Sequence, residues 1–443
     1  MTATLIISVA VCVGIFLSVL FCPAVAFGKR GGGRAVTVGT YWLISALGAA
    51  LLLVTGAIGG KEVISGLTAK GAINPLKILA LFLSMTSLSV FLDETGFFRF
   101  LAVKALSRAG GSQKRTFLIV YLLVSVLTVF TSNDVVVLTF TPFLCYFAKR
   151  AKVDPVPYLV GEFVAANSFS ITLLIGNPTN IYLATACGVN FGAYFRLMWL
   201  PALFAGAGGL LFTYLLFHKK LAAPFSSQEK GDVEIEKPLL VFGVISLAVC
   251  TVMIAVFSFL GKEMWAVSLG FALITLLFGA VYSLMKRRKP TEVLHTLKRA
   301  PWELVPFVLS MFVVVLALTK HGVTERLAGS LFAGKGTVLS FGIASFLAAN
   351  LVNNIPMSVL FSSVASLLTA QQLPAVLATV VASNVGAYFT PVGALAGIMW
   401  LGLLKKQQVP FGFREFIRCG VCIALPTLLL SLGGLYLSLA LFA

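Results

Sequence analysis

Polar, turn-forming residues interrupt apolar sequence at four places in this chain, and no other feature limits its possible folds so strongly. Thr131-Ser132-Asn133-Asp134 lies between the apolar runs 117–127 and 135–140, and Gly176-Asn177-Pro178-Thr179-Asn180 lies between Ile171–Ile175 and Ile181–Ala184. Asn353-Asn354-Ile355-Pro356 and Thr390-Pro391-Val392-Gly393 interrupt the later sequence in the same way. Lipid offers no replacement for a lost backbone hydrogen bond, so a break at membrane depth persists only against protein or a water-filled cavity. The surroundings are membrane sequence: 59% of the 443 residues are hydrophobic and 11% are charged, where a soluble domain carries about 25% charged residues. The net charge of +18 then reflects the cytoplasmic excess of Lys and Arg rather than a nucleic-acid partner.

Apolar runs long enough to cross a bilayer fall at 4–27, 37–58, 76–94, 157–186 and 192–217, and again at 238–260, 264–285, 302–320, 374–403 and 412–442. The first lacks the basic start of a signal peptide and reads as a retained membrane helix. Segments 116–148 and 336–370 each place two short apolar arms around a polar tip, which predicts re-entrant hairpins. The mixed-charge stretch 218–237 reads as a cytoplasmic linker between an N-terminal repeat, 1–217, and a C-terminal repeat, 238–443. Leu83-Ser84-Met85 recurs as Leu309-Ser310-Met311 at an offset of 226, Asn133-Asp134 as Asn353-Asn354 at 220, and Asn167 with Gly176 as Asn384 with Gly393 at 217. The slow drift is what small loop deletions produce after a duplication.

Parity then sets the orientation. Five crossings and a hairpin in each half make the second half inverted relative to the first, the arrangement of many secondary transporters. Sorting the loops by predicted side puts 25 of the 33 Lys and Arg residues together, in 28–35, 95–115, 148–156, 218–237, 286–301 and 404–418. That side is cytoplasmic by the positive-inside bias, so both termini lie outside and the protein is a multi-pass component of the plasma or inner membrane. The fold class is an all-α polytopic membrane protein of two inverted five-helix repeats, with broken helices at 157–186 and 374–403.

Each break starts a helix inside the protein. Asn133 or Asp134 is placed to cap one, Asn177 another ahead of Pro178, Asn354 a third, and Thr390 with Pro391 a fourth. Such ends present free N–H groups and partial positive charge. Ser132, Asn133, Asn177, Thr179, Asn180, Asn353, Asn354, Asn384 and Thr390 are the expected substrate ligands. The 33 basic residues all sort into loops or span ends, so the site suits a small polar solute, neutral or anionic. Asp134 is the one carboxylate placed deep in the membrane, while Glu162 lies about a turn inside its span, within reach of the interface. A deep acid is a functional candidate by default, here as the group that couples transport to H⁺ or Na⁺.

Other chemistry has no support in the sequence. Cys419 and Cys422 share a helical face, but away from the breaks, and His218, His295 and His321 are isolated, so no metal site is expected. The seven cysteines form no disulfide framework. No catalytic constellation and no phosphate loop occurs, which argues against an enzyme or a self-contained ATP-driven pump. A channel would need a continuous polar pore, and the polar residues cluster in two places.

At Asn133-Asp134…Leu138…Thr141-Pro142, Ala300-Pro301-Trp302…Ser310-Met311, Asn353-Asn354-Ile355-Pro356 and Asn384 through Thr390-Pro391-Val392-Gly393-Ala394-Leu395-Ala396 with Trp400, the chain resembles the arsenite permease (ArsB) family of the ion transporter superfamily. The likeness runs over nearly the whole length. It implies a substrate site between hairpin tips and helix breaks, moved against a scaffold. It also implies a secondary carrier like the arsenite/antimonite efflux permeases, proton-coupled, with no cofactor. Its partners are a small polar or anionic solute and the lipid bilayer. The arrangement is compatible with a homodimer, and an ATPase subunit is not required. The Gly176-Asn177-Pro178-Thr179-Asn180 break resembles the Gly-x-Pro-x-Asn pattern of the superfamily's anion and sodium branches. The alternative is therefore a sodium-coupled carboxylate or inorganic-anion transporter of the same fold.

Overall fold

The computed structural model describes residues 2–22, 24–27, 36–68, 74–108, 110–223, 235–332 and 336–442. The loop 28–35, residues 224–234 of the linker, Lys70 and Lys335 lie outside the described residues. Helix α1 (Thr2–Phe21) stops just before Pro23, a residue that cannot continue a helix. Strands β1 (Ala24–Phe27) and β2 (Val36–Gly39) then pair antiparallel, Ala24 opposite Gly39 and Phe27 opposite Val36. The hydroxyl of Thr40 bonds the Cys22 carbonyl across the base of this ribbon. The runs 4–27 and 37–58, expected as uninterrupted spans, are thus each a helix joined to a short strand. Valine-rich ends favour extended backbone where no helix can continue.

The remaining elements follow the apolar pattern closely. They are α2 (Thr40–Val54), α3 (Gly60–Leu67), α4 (Pro75–Glu94), α5 (Phe97–Leu106), α6 (Gln113–Phe130), α7 (Asn133–Ala151), α8 (Val156–Phe169), α9 (Pro178–Ala186) and α10 (Phe191–Phe217). After the linker come α11 (Lys237–Phe259), α12 (Met264–Met285), α13 (Thr291–Arg299), α14 (Leu304–Lys320), α15 (Val323–Phe332), α16 (Thr337–Val352), α17 (Asn354–Ala365), α18 (Gln372–Gly386), α19 (Leu395–Lys406) and α20 (Phe413–Phe442). From α4 to α10 and from α14 to α20 one succession recurs: a helix, a short helix, two arms, a helix broken in two, and a long helix. Among the described residues seven helical stretches are long and apolar enough to cross a membrane. One of them is α6, an arm expected to be too short. Ser112 accepts a hydrogen bond from the Arg115 amide (3.4 Å) and starts this helix in polar sequence, which lengthens it to 18 residues.

Packing divides into two groups of helices. In one, α10 lies along α20, α16 against α18, and α6, α7 and α10 against α8; in the other, α4 packs on α12, and α2 on both α1 and α14. The α10–α20 seam is made by small residues, as between membrane helices generally. Gly208 sits over Thr427 and Leu430, and Gly434 over the Phe204 ring. Pro201, inside α10, has no N–H for the carbonyl of Leu197. Ser438 of α20 donates to that carbonyl at 2.7 Å, so the kink costs no unpaired group.

Candidate functional site

Both broken helices interrupt at the same offset. A single 3₁₀ turn occupies Leu174–Gly176 in the first and Pro391–Gly393 in the second, 217 residues later. The glycine ending each turn is obligatory. A Cβ on Gly176 would stand 2.3 Å from the Ser170 carbonyl oxygen, and one on Gly393 2.4 Å from that of Gly386.

The helix starts differ from the expected capping in three of four cases. Asn177 caps α9 as expected, its Oδ1 accepting from the amide of Thr179 at 3.1 Å and from the Thr179 hydroxyl at 3.0 Å. Asn133, however, is the first residue of α7, with Ser132 at the capping position and no side-chain cap. The Asn133 amide group is committed elsewhere, donating to Asn167 Oδ1 at 2.9 Å. Asn353, not Asn354, caps α17, accepting from the Ile355 amide at 3.3 Å while its own Nδ2 donates to the Val392 carbonyl at 3.0 Å. It does so at φ +78°, a backbone conformation a non-glycine residue rarely holds. Thr390 caps nothing, because α19 begins only at Leu395. Its hydroxyl and amide both donate to Asn350 Oδ1, at 2.7 and 3.1 Å.

The two breaks are tied together at Asn384, which is 0% exposed. Its Oδ1 accepts from the Ser170 hydroxyl (2.7 Å) and Asn177 Nδ2 (2.9 Å), and its Nδ2 donates to Asn180 Oδ1 (2.7 Å) and the Val380 carbonyl (2.8 Å). Two donors and two lone pairs are all that an Asn side chain has. Ser383 adds a bond to the Thr179 hydroxyl at 2.9 Å. The counterpart tie is missing. Asn167 stands 217 residues before Asn384, but the positions matching Ser170, Asn177 and Asn180 are Ala387, Ala394 and Gly397. Asn167 therefore turns to Asn133.

Two adjacent residues at the start of α7 keep open hydrogen-bonding capacity. The Ser132 hydroxyl and Asn133 Oδ1 are buried and without a partner. Asp134 beside them is half-buried and makes no hydrogen bond or ion pair, unlike the saturated Asn384. On α7, Leu138 and Pro142 follow Asp134 at helical spacing on one face. Leu138 and Pro142, but not Asp134, line a cavity of about 810 Å³ whose wall also carries Asp93, Glu94, Arg99, Thr139, Tyr146 and Arg299. Arg299 Nη1 bridges Asp93 and Glu94, at 2.6 Å each, and His295 Nδ1 lies 3.0 Å from Glu94. By contrast, the starts of α9 and α17 meet Ile78, Phe82, Leu304 and Val308 around an apolar cavity of only about 20 Å³. The two uncapped helices, α7 and α19, pack on each other across the halves.

Sequence reasoning missed several of these residues. Asn350, Ser170 and Ser383 hold the breaks, and Asn350 was detectable as an extra amide three residues before the tip in an apolar arm. Glu162 is 0% exposed and covered by α7, so it is an enclosed acid within the protein. Among the described residues no Lys or Arg is buried and no cluster of metal-ligating side chains occurs.

Long apolar helices and two interrupted helices tied to each other through buried Asn384 are the framework of a membrane transporter. Residues 40–373 match the model of the CitMHS citrate transporter family, and the chain belongs to that family. It is 27% identical over 412 residues to the arsenical pump membrane protein of Escherichia coli K12, covering 89% of this chain and 92% of that one. It is 26% identical over 386 residues to a 46 kDa membrane protein of Mycobacterium leprae, covering 82% and 85%. Two solved structures share the fold. The Alcanivorax borkumensis YdaH transporter aligns with a TM-score of 0.58 at 16% identity, over 99% of this chain and 98% of that one. Neisseria gonorrhoeae MtrF, described among antimetabolite efflux pumps, aligns with a TM-score of 0.54 at 15% identity, over 98% and 94%. The chain is a multi-pass inner-membrane transporter of the ArsB/CitMHS type.

Proposed function

We propose that this protein is a secondary active transporter of a small polar or anionic solute, working as a proton-coupled efflux permease like the arsenical pump membrane proteins it resembles. The observation that carries this reading is the start of α7. Its first amides have no side-chain cap, the Ser132 hydroxyl and Asn133 Oδ1 lie buried without partners, and Asp134 stands one helical turn before Leu138, a residue of the cavity wall. Free amides attract negative charge, unpaired oxygens accept hydroxyl groups or a cation, and the acid accepts a proton. Ser132, Asn133 and Asp134 are the primary site in this reading, with Asn353, Asn354 and Thr390 contributing from the second half. Asn177, Thr179, Asn180 and Asn384 hold the breaks in place.

The arrangement is proposed to be two inverted repeats, 1–217 and 238–443, with both termini outside and the Asp93–Arg299 cavity open to the cytoplasm. Capture of solute from that side follows. A second reading, a sodium-coupled carboxylate or inorganic-anion carrier, is favoured by the citrate transporter description of the family and by the Gly176-to-Asn180 pattern.

Counterflow in sealed proteoliposomes separates the two. Arsenite accumulation driven by a proton gradient supports the first reading, and citrate accumulation driven by sodium supports the second. Absence of counterflow for every solute tried, with currents instead, would overturn the carrier reading.

A further inference from the structure

Glu162 is the most completely enclosed acid in the described chain, and the transport reading above does not use it. Its only hydrogen-bond partner is Thr141 of α7, whose hydroxyl lies 3.1 Å from Oε1 and 3.0 Å from Oε2. No ion pair involves it among the described residues. The side chain is 0% exposed, and the ionisable group nearest to it on α7 is the Cys145 thiol, one turn beyond Thr141. An ionised carboxylate presents about four acceptor positions. One hydroxyl cannot satisfy them, and an unpaired buried charge costs several kcal/mol.

The position of this contact shows what it holds. Two polar rungs join α7 to α8: Asn133 to Asn167 at 2.9 Å, and Thr141 to Glu162. On α7 they are eight residues apart, about 12 Å, and on α8 five residues apart, about 7.5 Å. Two rungs at different heights hold the register of α7 on α8 and limit its rotation, beside the packing the two helices share. With one rung, apolar packing alone would set the other end of the arm. The first rung alone carries Asn133, whose Oδ1 is left unpartnered at the proposed site.

We propose that Glu162 is a positioning residue: as a neutral carboxylic acid it clamps Thr141, fixes arm α7 on α8, and so holds Asn133 and Ser132 in the geometry that binds solute. The clamp rests on the transport reading given above.

Glu162→Gln, Glu162→Leu, Thr141→Val and the double Glu162→Leu/Thr141→Val variant test it, using the full chain in proteoliposomes with arsenite and citrate as probes. Glu162→Gln keeps a neutral hydrogen-bonding group and is expected to match wild type in KM, maximal rate and pH–rate profile. Glu162→Leu and Thr141→Val are expected to raise KM on the order of tenfold, the scale on which loss of a supporting contact weakens a bound ion, with a smaller change in maximal rate. The double variant removes both polar partners, so a recovered melting temperature with KM still raised separates positioning from folding. A displaced pH–rate profile in Glu162→Gln would make Glu162 a proton-exchanging group and overturn the clamp. An unchanged KM in Glu162→Leu would overturn it too. Wild-type protein without counterflow would instead overturn the transport reading.

Discussion

Replacing Asn384 with Ala tests the tie between the two broken helices. The substitution removes four side-chain hydrogen bonds. Not all of the partners are stranded. Ser170 keeps its bond to the Asn167 carbonyl at 2.7 Å, and the Val380 carbonyl lies within helix α18. Asn177 Nδ2 and Asn180 Oδ1 lose their only partner, and both residues are buried. At about 1–3 kcal/mol for each orphaned buried group, the cost is roughly 2–6 kcal/mol. Hydrogen bonds between membrane helices average only about 0.6 kcal/mol, which favours the lower end. Asn167→Ala is the internal control, since it orphans a single group, Asn133 Nδ2. Thermal unfolding of the purified protein in detergent should therefore fall further for Asn384→Ala than for Asn167→Ala. Adding Asn177→Ala to Asn384→Ala removes one of the two orphans, so the pair should cost less than the sum of the single changes. Equal melting temperatures for Asn384→Ala and Asn167→Ala, or strict additivity in the double variant, would refute the reasoning.

Other perturbations bear on coupling, topology and the cavity wall. Asp134→Asn should leave the fold intact, because Asp134 makes no hydrogen bond to lose, and should abolish gradient-driven accumulation while downhill exchange continues; accumulation at the wild-type rate would make Asp134 a bystander. A cysteine placed at Pro290 in an otherwise cysteine-free chain should resist impermeant thiol reagents in intact cells and react in inside-out vesicles, and labelling from outside would reverse the proposed orientation. Arg299→Gln should cost on the order of 1 kcal/mol, a value discounted because its side chain is 36% exposed. The difference in melting temperature from wild type should shrink as salt is raised, and a difference that is constant with salt would show that packing, not charge, holds α13 to α4.

The broken helices were legible because Gly and Pro leave few options: Gly176-Asn177-Pro178 and Pro391-Val392-Gly393 mark both interruptions, and α12 occupies the expected 264–285. The ribbon at residues 24–39 was hidden, since Val-rich sequence is as apolar in a strand as in a helix. Capping was legible only where local geometry decides it, at Asn177 ahead of Pro178. At Asn133 the helix begins one residue earlier than expected, so its side chain cannot cap and its Nδ2 reaches a residue 34 positions away instead. The enclosure of Glu162 was not legible, because its distance from the helix end is visible in sequence while the arm that covers it is not. The ties through Ser170 and Ser383 were equally invisible, since a hydroxyl residue in an apolar run carries no sign of its partner.

The bonds that Asn384 makes to Asn177 and Asn180 have a consequence for how the protein is made. Asn180 leaves the ribosome 204 residues before its partner exists. At about 5–20 residues per second this is an interval on the order of 10–40 s. Throughout it, the interrupted first helix has polar side chains with no mate from the second half, in a solvent that cannot supply one. The early segments must wait beside the insertion machinery, borrow a partner from water there, or enter the bilayer provisionally and rearrange when the later break arrives. A chain cut in the linker and made as two pieces would extend that wait without limit, so the first piece alone should be the shorter-lived in cells.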